Sequence, residues 1–335
     1  MPIKYNIELL RSLNKEYESK KFMSFFTQYD QKSQLEQAAS RIDELSTQID
    51  FSGKKILEIG CGRGHVAYQL ANKFDCTVVG LEVYPRPEWE GLQNPNLKFM
   101  HLDLGLENPF GEGEFDIILS FVVWEHIRHP RTVLWQAAKI LKEGGFFYLS
   151  ANLYRSAVAS HLYRQIHFPF PHLLFDDEIV TEFALENGVA QHSIDAFYHV
   201  NKLVYAQYKE YFRELNLEII SEKKSIRKLD MDLYKRFEDK LGLYPIADLE
   251  LDFFHVLLKK QNNDEAVEKD NVLALDLAKA TDVIRTLRKR VQLLESENRD
   301  YRWKMNYIIG TWYGRFATKI FRFMVLAKRK LNSGE

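Results

Sequence analysis

The stretch Lys55-Ile56-Leu57-Glu58-Ile59-Gly60-Cys61-Gly62-Arg63-Gly64-His65 sets how the rest of the chain reads. Its short apolar run suits a strand buried on both faces. Three glycines at alternate positions follow, and a helical pattern runs from Arg63 to about Lys73. Glycines at a strand end let backbone approach a ligand closely, and the first turn of a helix offers amides with no partner of their own. The pattern repeats outward. Strands are expected over 76–83, 97–102, 115–121 and 146–150. A helix is expected from His129-Pro130 to about Lys142, with proline near its first turn and Gly144-Gly145 closing it. Strands alternating with helices imply a parallel sheet covered on both faces.

Acids stand at the ends of the next two strands. Glu82 lies 22 residues after Gly60, where a ribose hydroxyl pair would need an acceptor. Asp103 closes the third strand, where a short acid could meet an adenine amine. A nicotinamide fingerprint would require a glycine at position 65, which is His65 here; the spacing is GxGxG rather than GxGxxG.

Taken together, ILEIGCGRG, VVGLE, LDLGLENPF, FDIILSFVVWEHIRHP and AAKILKEGGFFYLS resemble the successive motifs of class I S-adenosylmethionine-dependent methyltransferases. The resemblance covers roughly residues 50–152 and resumes over 199–259. It implies an α/β fold, a Rossmann-like seven-stranded sheet with helices on both faces and an antiparallel last strand. S-adenosylmethionine would be the cofactor. Gly60, Cys61, Gly62 and Gly64 would pass under its methionine part, Glu82 would hold the ribose, and Asp103 with Leu104 the adenine end. Ser120 and Phe121 would line the methyl-donor pocket. Glu82 stands where Asp is commoner, and Arg63 fills a position that is often small. Glu58 reads as an orienter of the glycine loop rather than a cofactor contact.

Methyl transfer asks mainly for positioning, because the sulfonium is already activated. An oxygen acceptor must also lose a proton, and a histidine suits that work. His126, in Trp124-Glu125-His126 just past the fourth strand, is the candidate catalytic base; the alternative is a hydrogen-bonding or capping histidine. Regularity lapses over 155–198, which includes HFPFPHLLFDDE. His167, His172, Asp176 and Asp177 in it are further acceptor-side groups. Their spacing alone does not support a metal site, and none is expected; the segment reads as a lid shaping the acceptor pocket. A helix over about 201–215 and strands over 217–221 and 251–259 complete the domain.

The chain has 335 residues, a net charge of −1 and 46% apolar residues, which excludes a disordered or fibrous protein. Residues 301–335 carry eight Lys/Arg and one acid, which leaves the first 300 at −8. The two cysteines, Cys61 and Cys76, form no disulfide framework. The amino-terminal residues lack the apolar core of a signal peptide, and no apolar run is long enough to span a bilayer, so a cytoplasmic location is expected.

The organisation reads as a helical segment over 1–49, the methyltransferase domain over 50–260, a polar linker over 261–269, a coiled coil over 270–302 and a basic tail over 303–335. Leu277, Ile284, Val291 and Asn298 fall at a positions, with Leu273, Ala280, Leu287, Leu294 and Tyr301 at d, which favours a parallel homo-oligomer. Residues 303–330 are basic, aromatic and amphipathic without acids, which suits peripheral contact with an anionic inner membrane face. With no reading motif, nucleic acid is not expected as a partner. The acceptor is expected to be an oxygen of a glycan, a lipid-linked sugar or another small molecule. The rival is a non-catalytic scaffold of the same fold acting through its coiled coil.

Overall fold

The protein is described by a computed structural model over residues 3–20 and 30–261. The coiled coil, the basic tail and all of the linker but Gln261 lie outside the described residues. In chain order the elements are α1 (Ile7–Glu18), α2 (Gln31–Ser46), β1 (Lys55–Ile59), α3 (His65–Lys73), β2 (Thr77–Glu82), β3 (Leu97–His101), β4 (Phe115–Phe121), α4 (Pro130–Ile140), β5 (Leu141–Asn152), α5 (Pro171–Leu174), α6 (Asp177–Glu186), α7 (Gln191–Tyr198), α8 (Tyr205–Glu214), β6 (Leu217–Ile226), α9 (Met231–Arg236), α10 (Glu238–Leu241), α11 (Ile246–Glu250) and β7 (Leu251–Lys260). Single 3-10 turns sit at Pro87–Gly91 and Trp124–His126.

The strands form one seven-stranded sheet in the order β3-β2-β1-β4-β5-β7-β6. The first five run parallel, and β7 inserts antiparallel between β5 and β6. β1 and β4 are buried along almost their whole length, as central parallel strands should be. Strand order reverses between β1 and β4, so the crevice at their carboxyl ends is where a sheet of this type binds ligands. β6, at one edge, alternates buried and exposed positions and carries Lys223 and Lys224, which discourage pairing with another sheet.

Period-two alternation divides the core. Ile56, Val78, Ile117 and Leu119 face α2 and α3, packing on Ile42, Leu45, Leu70 and Ala71. Leu57, Ile59, Leu81 and Ile118 face the other way, onto Leu134 and Ala137 of α4 and Tyr208 and Phe212 of α8. A further apolar cluster contains no strand residue. Leu10, Leu13 and Tyr17 of α1 pack there with Leu162 to Phe183 of the 155–198 segment and with Leu233, Phe237 and Leu241 of α9 and α10. This is a helical cap. Tyr17 Oη donates to Asp230 at 2.7 Å, Asn14 donates to the Gln165 carbonyl at 3.0 Å and Arg11 pairs with Glu186 at 2.8 Å.

The structure departs from the sequence reading in particulars. α3 starts at His65 rather than Arg63, because Gly64 takes a left-handed conformation (φ +84°) and caps it. α4 stops at Ile140, and β5 begins at once with Leu141. Its register against β4 jumps from Leu141 to Phe146, so Gly144-Gly145 belong to a bulge within the strand rather than to a helix end. The segment expected to be irregular holds α5, α6 and α7.

Candidate functional site

Neighbouring side chains fix the glycine loop at several points. Gly60, Gly62 and Gly64 all have positive φ. A Cβ on Gly60 would lie 2.5 Å from both γ carbons of Val123, and one on Gly64 would lie 2.4 Å from the Phe99 ring. These two glycines are required by close packing. Gly62 differs, since a Cβ there would meet nothing within 4 Å. At Gly62 the Cα faces open space, while its amide and carbonyl are held by Glu82 and Trp89.

Glu58, on β1, sends its carboxylate under the loop and accepts from the Ala67 amide at 2.9 Å. Ala67 lies in the first turn of α3, and Gly64 has no side chain with which to cap it. Glu58 therefore supplies the acceptor that an Asp or Ser cap would give. It is almost fully buried, and burial pushes its carboxyl up to about 8 despite Arg41 nearby. The orienting role expected of Glu58 has a concrete form here.

Glu82 ends β2 and accepts from the Gly62 amide and from its own neighbour Val83, both at 2.9 Å. It is half-buried and fixes the loop from the side. Trp89 closes the other side: its Nε1–H donates to the Gly62 carbonyl at 3.0 Å and its ring stacks on Phe99 at 4.9 Å. Nothing in the sequence marks Trp89 beyond an aromatic residue in a polar loop. Asp103 is exposed and accepts from the Gly105 amide at 2.8 Å, an Asx turn that sets its position past β3.

Four expected cofactor contacts have side chains turned inward. Leu104 is buried in the core on the α4 side. Cys61 is buried, and burial raises its thiol far above the ordinary range. Ser120 is fully buried and donates to the Ile59 carbonyl at 2.9 Å, tying the end of β4 to the end of β1. Phe121 packs on the α2–α3 face beside Tyr148, with Arg41 over its ring at 5.2 Å. What these four offer a ligand is main chain. Helices cover both faces of the sheet, so even the adjacent Ser120 and Phe121 are both buried, which the motif does not show.

Past β4 the backbone is strained. Val122 has φ +55°, a region a β-branched residue rarely adopts. Its amide donates to Ser150 Oγ at 3.1 Å, which helps to hold it there. The turn Trp124–His126 follows. Asn201 clamps it by donating through Nδ2 to the carbonyls of Trp124 at 2.5 Å and Ile127 at 3.3 Å. This delivers His126 to the carboxyl end of the sheet beside His161 of the cap, with ring centroids 4.9 Å apart. Burial and then His199 hold the His126 imidazole below its ordinary value. His161, also in a left-handed conformation (φ +57°), is pushed down to about 3 by burial.

Glu125 is about 1% exposed, and burial, partly offset by backbone amides including that of Asn152, lifts it to about 8. Neither of its oxygens accepts a well-formed hydrogen bond. His161 gave no sign of itself in the sequence.

The remaining expected acceptor-side residues do not converge on one point. His167 lines a cleft of about 350 Å³ against α1, and its amide donates to Asn14 at 2.6 Å. His172 is buried, with Nε2 at 2.7 Å from the Tyr154 carbonyl. Asp176 is exposed at the start of α6, while burial raises half-buried Asp177.

A sequence profile of the methyltransferase domain matches residues 29–222. A ubiquinone biosynthesis O-methyltransferase of Dechloromonas aromatica is 28% identical over 115 residues, 33% of this chain and 49% of that enzyme. The chain thus spans about half the length of that relative. A malonyl-[acyl-carrier protein] O-methyltransferase of Paenibacillus is 24% identical over 242 residues, 64% of this chain and 85% of that enzyme. Among solved structures, an S-adenosylmethionine-dependent methyltransferase of Mesorhizobium loti aligns over 67% of this chain and 99% of its own, with a TM-score of 0.46 and 14% identity. With the profile covering more than half of the sequence and the glycine loop seated at the switch point of the sheet, this chain belongs to the methyltransferase-domain family, whose methyl donor is S-adenosylmethionine.

Proposed function

We propose that this chain moves a methyl group from S-adenosylmethionine to an oxygen of its acceptor. The observation that carries the reading is the open space over the Gly62 Cα at the carboxyl end of β1, flanked by the carboxylates of Glu82 at the end of β2 and Asp103 just past β3. These residues fit the cofactor: the glycine loop admits its methionine part, Glu82 accepts from the ribose hydroxyls, and Asp103 with the Leu104 main chain meets the adenine end. When bound, the cofactor supplies an electrophilic methyl group on a sulfonium. The protein orients it with amides fixed beforehand by Glu58 and Glu82. The end of β4 and the Trp124–His126 turn face the acceptor.

The O-methyltransferase names of the two relatives above support oxygen as the acceptor atom. Aromatic residues of the cap, with the basic sequence over 303–330, support a glycan, a lipid-linked sugar or a similar small molecule. In this reading the heptads over 270–302 associate two copies, and the tail rests on an anionic membrane surface. Among the described residues no helix is long and apolar enough to cross a membrane.

The test joins calorimetry with S-adenosylhomocysteine to label transfer from methyl-labelled S-adenosylmethionine into lipid, glycan, protein and nucleic-acid fractions. Binding that Gly62→Ala weakens, with label in the lipid or glycan fraction, is the expected result. No binding and no label would overturn it in favour of the scaffold.

A further inference from the structure

Glu125, His126 and His161 leave a chemical need unanswered. Their ligating atoms, one from each residue, all lie within 4.8 Å of one another. Neither Glu125 oxygen has a well-formed hydrogen bond, and His161 Nε2 is buried with no partner at all. A buried polar group without a partner is costly, and native proteins leave few of them. Two poorly bonded carboxyl oxygens and one unpartnered imidazole nitrogen lie together here, on residues contributed by two separate parts of the chain. The cationic side chains nearby are engaged elsewhere: Arg128 with His199 at 3.3 Å, and Lys202 over the Tyr154 ring at 5.0 Å. His161 is also held in a left-handed backbone conformation, a strain that clusters at functional sites.

We propose that Glu125, His126 and His161 form a binding site for one divalent transition-metal ion on the acceptor side of the cleft. Two imidazole nitrogens and one carboxylate oxygen suit zinc, cobalt(II), nickel(II) or iron(II) better than magnesium or calcium, which prefer all-oxygen sets. Ligand atoms on one tetrahedral zinc stand about 3.3 Å apart, given bonds of about 2.0–2.1 Å. The three groups therefore need to draw in by about 1.5 Å at most, within reach of side-chain rotation at half-buried His126. Three protein ligands leave a coordination position open, which is the pattern of a catalytic rather than a structural metal.

Resting on the proposed O-methylation, that position takes the acceptor hydroxyl. Coordination lowers its pKa and its proton passes to water. The oxygen lone pair then forms the bond to the methyl carbon, and the carbon–sulfur bond breaks with its electrons going to sulfur. His126 acts as a ligand in this scheme rather than as the base the sequence suggested.

The test uses the full chain, stripped with chelator and titrated with Co²⁺ and separately with Zn²⁺. Visible d–d absorption reads coordination, and equilibrium dialysis with elemental analysis reads stoichiometry. One ion per chain is expected, with affinity weakened at least tenfold in His161→Ala and in Glu125→Gln and unchanged in His129→Gln. His126→Ala, at a half-buried position, serves if either buried variant fails to fold. Absence of stoichiometric binding by the wild type would overturn the site. So would binding that these variants leave intact, since the ion would then lie elsewhere. Because neither readout needs turnover, a bound ion without methyl transfer would leave the site standing and count against the proposed reaction instead.

Discussion

Two buried glutamates, one on each side of the crevice, have carboxyls that burial lifts to about 8, and they are otherwise opposites. Glu58 is spoken for: it caps α3 at Ala67 and faces Arg41. Glu125 has no well-formed hydrogen bond, and the histidine beside it is equally bare. On the cofactor side of the crevice, Glu82 and Glu58 already hold the Gly62 and Ala67 amides. Equal burial and equal shifts in acidity thus mark a strut in one case and a poorly bonded carboxyl in the other, and only the hydrogen-bond partners tell them apart.

The most damaging change should fall on the cofactor side. Gly60→Ala drives a methyl into Val123 from a backbone already at φ +70°. Affinity for S-adenosylhomocysteine by calorimetry should fall at least about 100-fold, or roughly 2.7 kcal/mol. Gly62→Ala should lose affinity as well but destabilise less than Gly60→Ala, by about 1–2 kcal/mol, because it carries only the strain of a left-handed backbone (φ +52°) and its methyl meets open space; equal unfolding of both variants would break the distinction.

The sharper test replaces each glutamate by methionine. Glu58→Met strands the Ala67 amide and should destabilise by about 1–3 kcal/mol. Glu125→Met removes a buried carboxyl that has no well-formed hydrogen bond and should leave the metal-free protein about as stable as wild type. Denaturant titrations giving the same loss for both would end the comparison.

Acidity supplies a smaller effect. The folded-state value of Glu58 lies above its unfolded value, so the native state binds more protons between roughly pH 4.5 and 8. Stability is therefore highest at the acid end of that window and falls as pH rises, by at most about 1.4 kcal/mol per pH unit for this one group. Glu58→Gln keeps an acceptor for Ala67 and should flatten the slope; an unchanged slope would place the titrating group elsewhere. Smallest of all is Ser120→Ala, which removes the bond to the Ile59 carbonyl at 2.9 Å. About 1 kcal/mol of stability should go, with little change in cofactor affinity.

How far the sequence could be read follows the same division. The sheet was legible because β1 and β4 are continuous apolar runs bounded by glycines and acids, and Glu82 and Asp103 stand at strand ends where position implies use. The cap was not, because Phe168, Phe170, Leu173, Leu174 and Phe175 are buried on short elements with no polar face, so no helical period shows. His161 was illegible for a related reason. It reaches Glu125 only through the fold of the cap, across 36 positions of sequence that mark no pairing. The burial of Ser120 and Phe121, neighbours on β4, depends on helices that cover both faces of the sheet, and these are distant in sequence.

The helix α1 has a consequence for the order of events at the ribosome. Its contacts run to Glu186, Asp230 and Arg236, across separations of 175, 213 and 220 residues. Synthesis proceeds at about 5–20 residues per second, so α1 emerges well before the last of these partners. Through that interval Leu10, Leu13 and Tyr17 form an apolar stripe with nothing to cover it, a target for a holding chaperone. The sheet can condense from β1 to β5 meanwhile, since those pairings are nearer in sequence. Cap closure is then a late step, and by the same long-range logic α1 should be among the first elements to exchange its amide hydrogens in the finished protein.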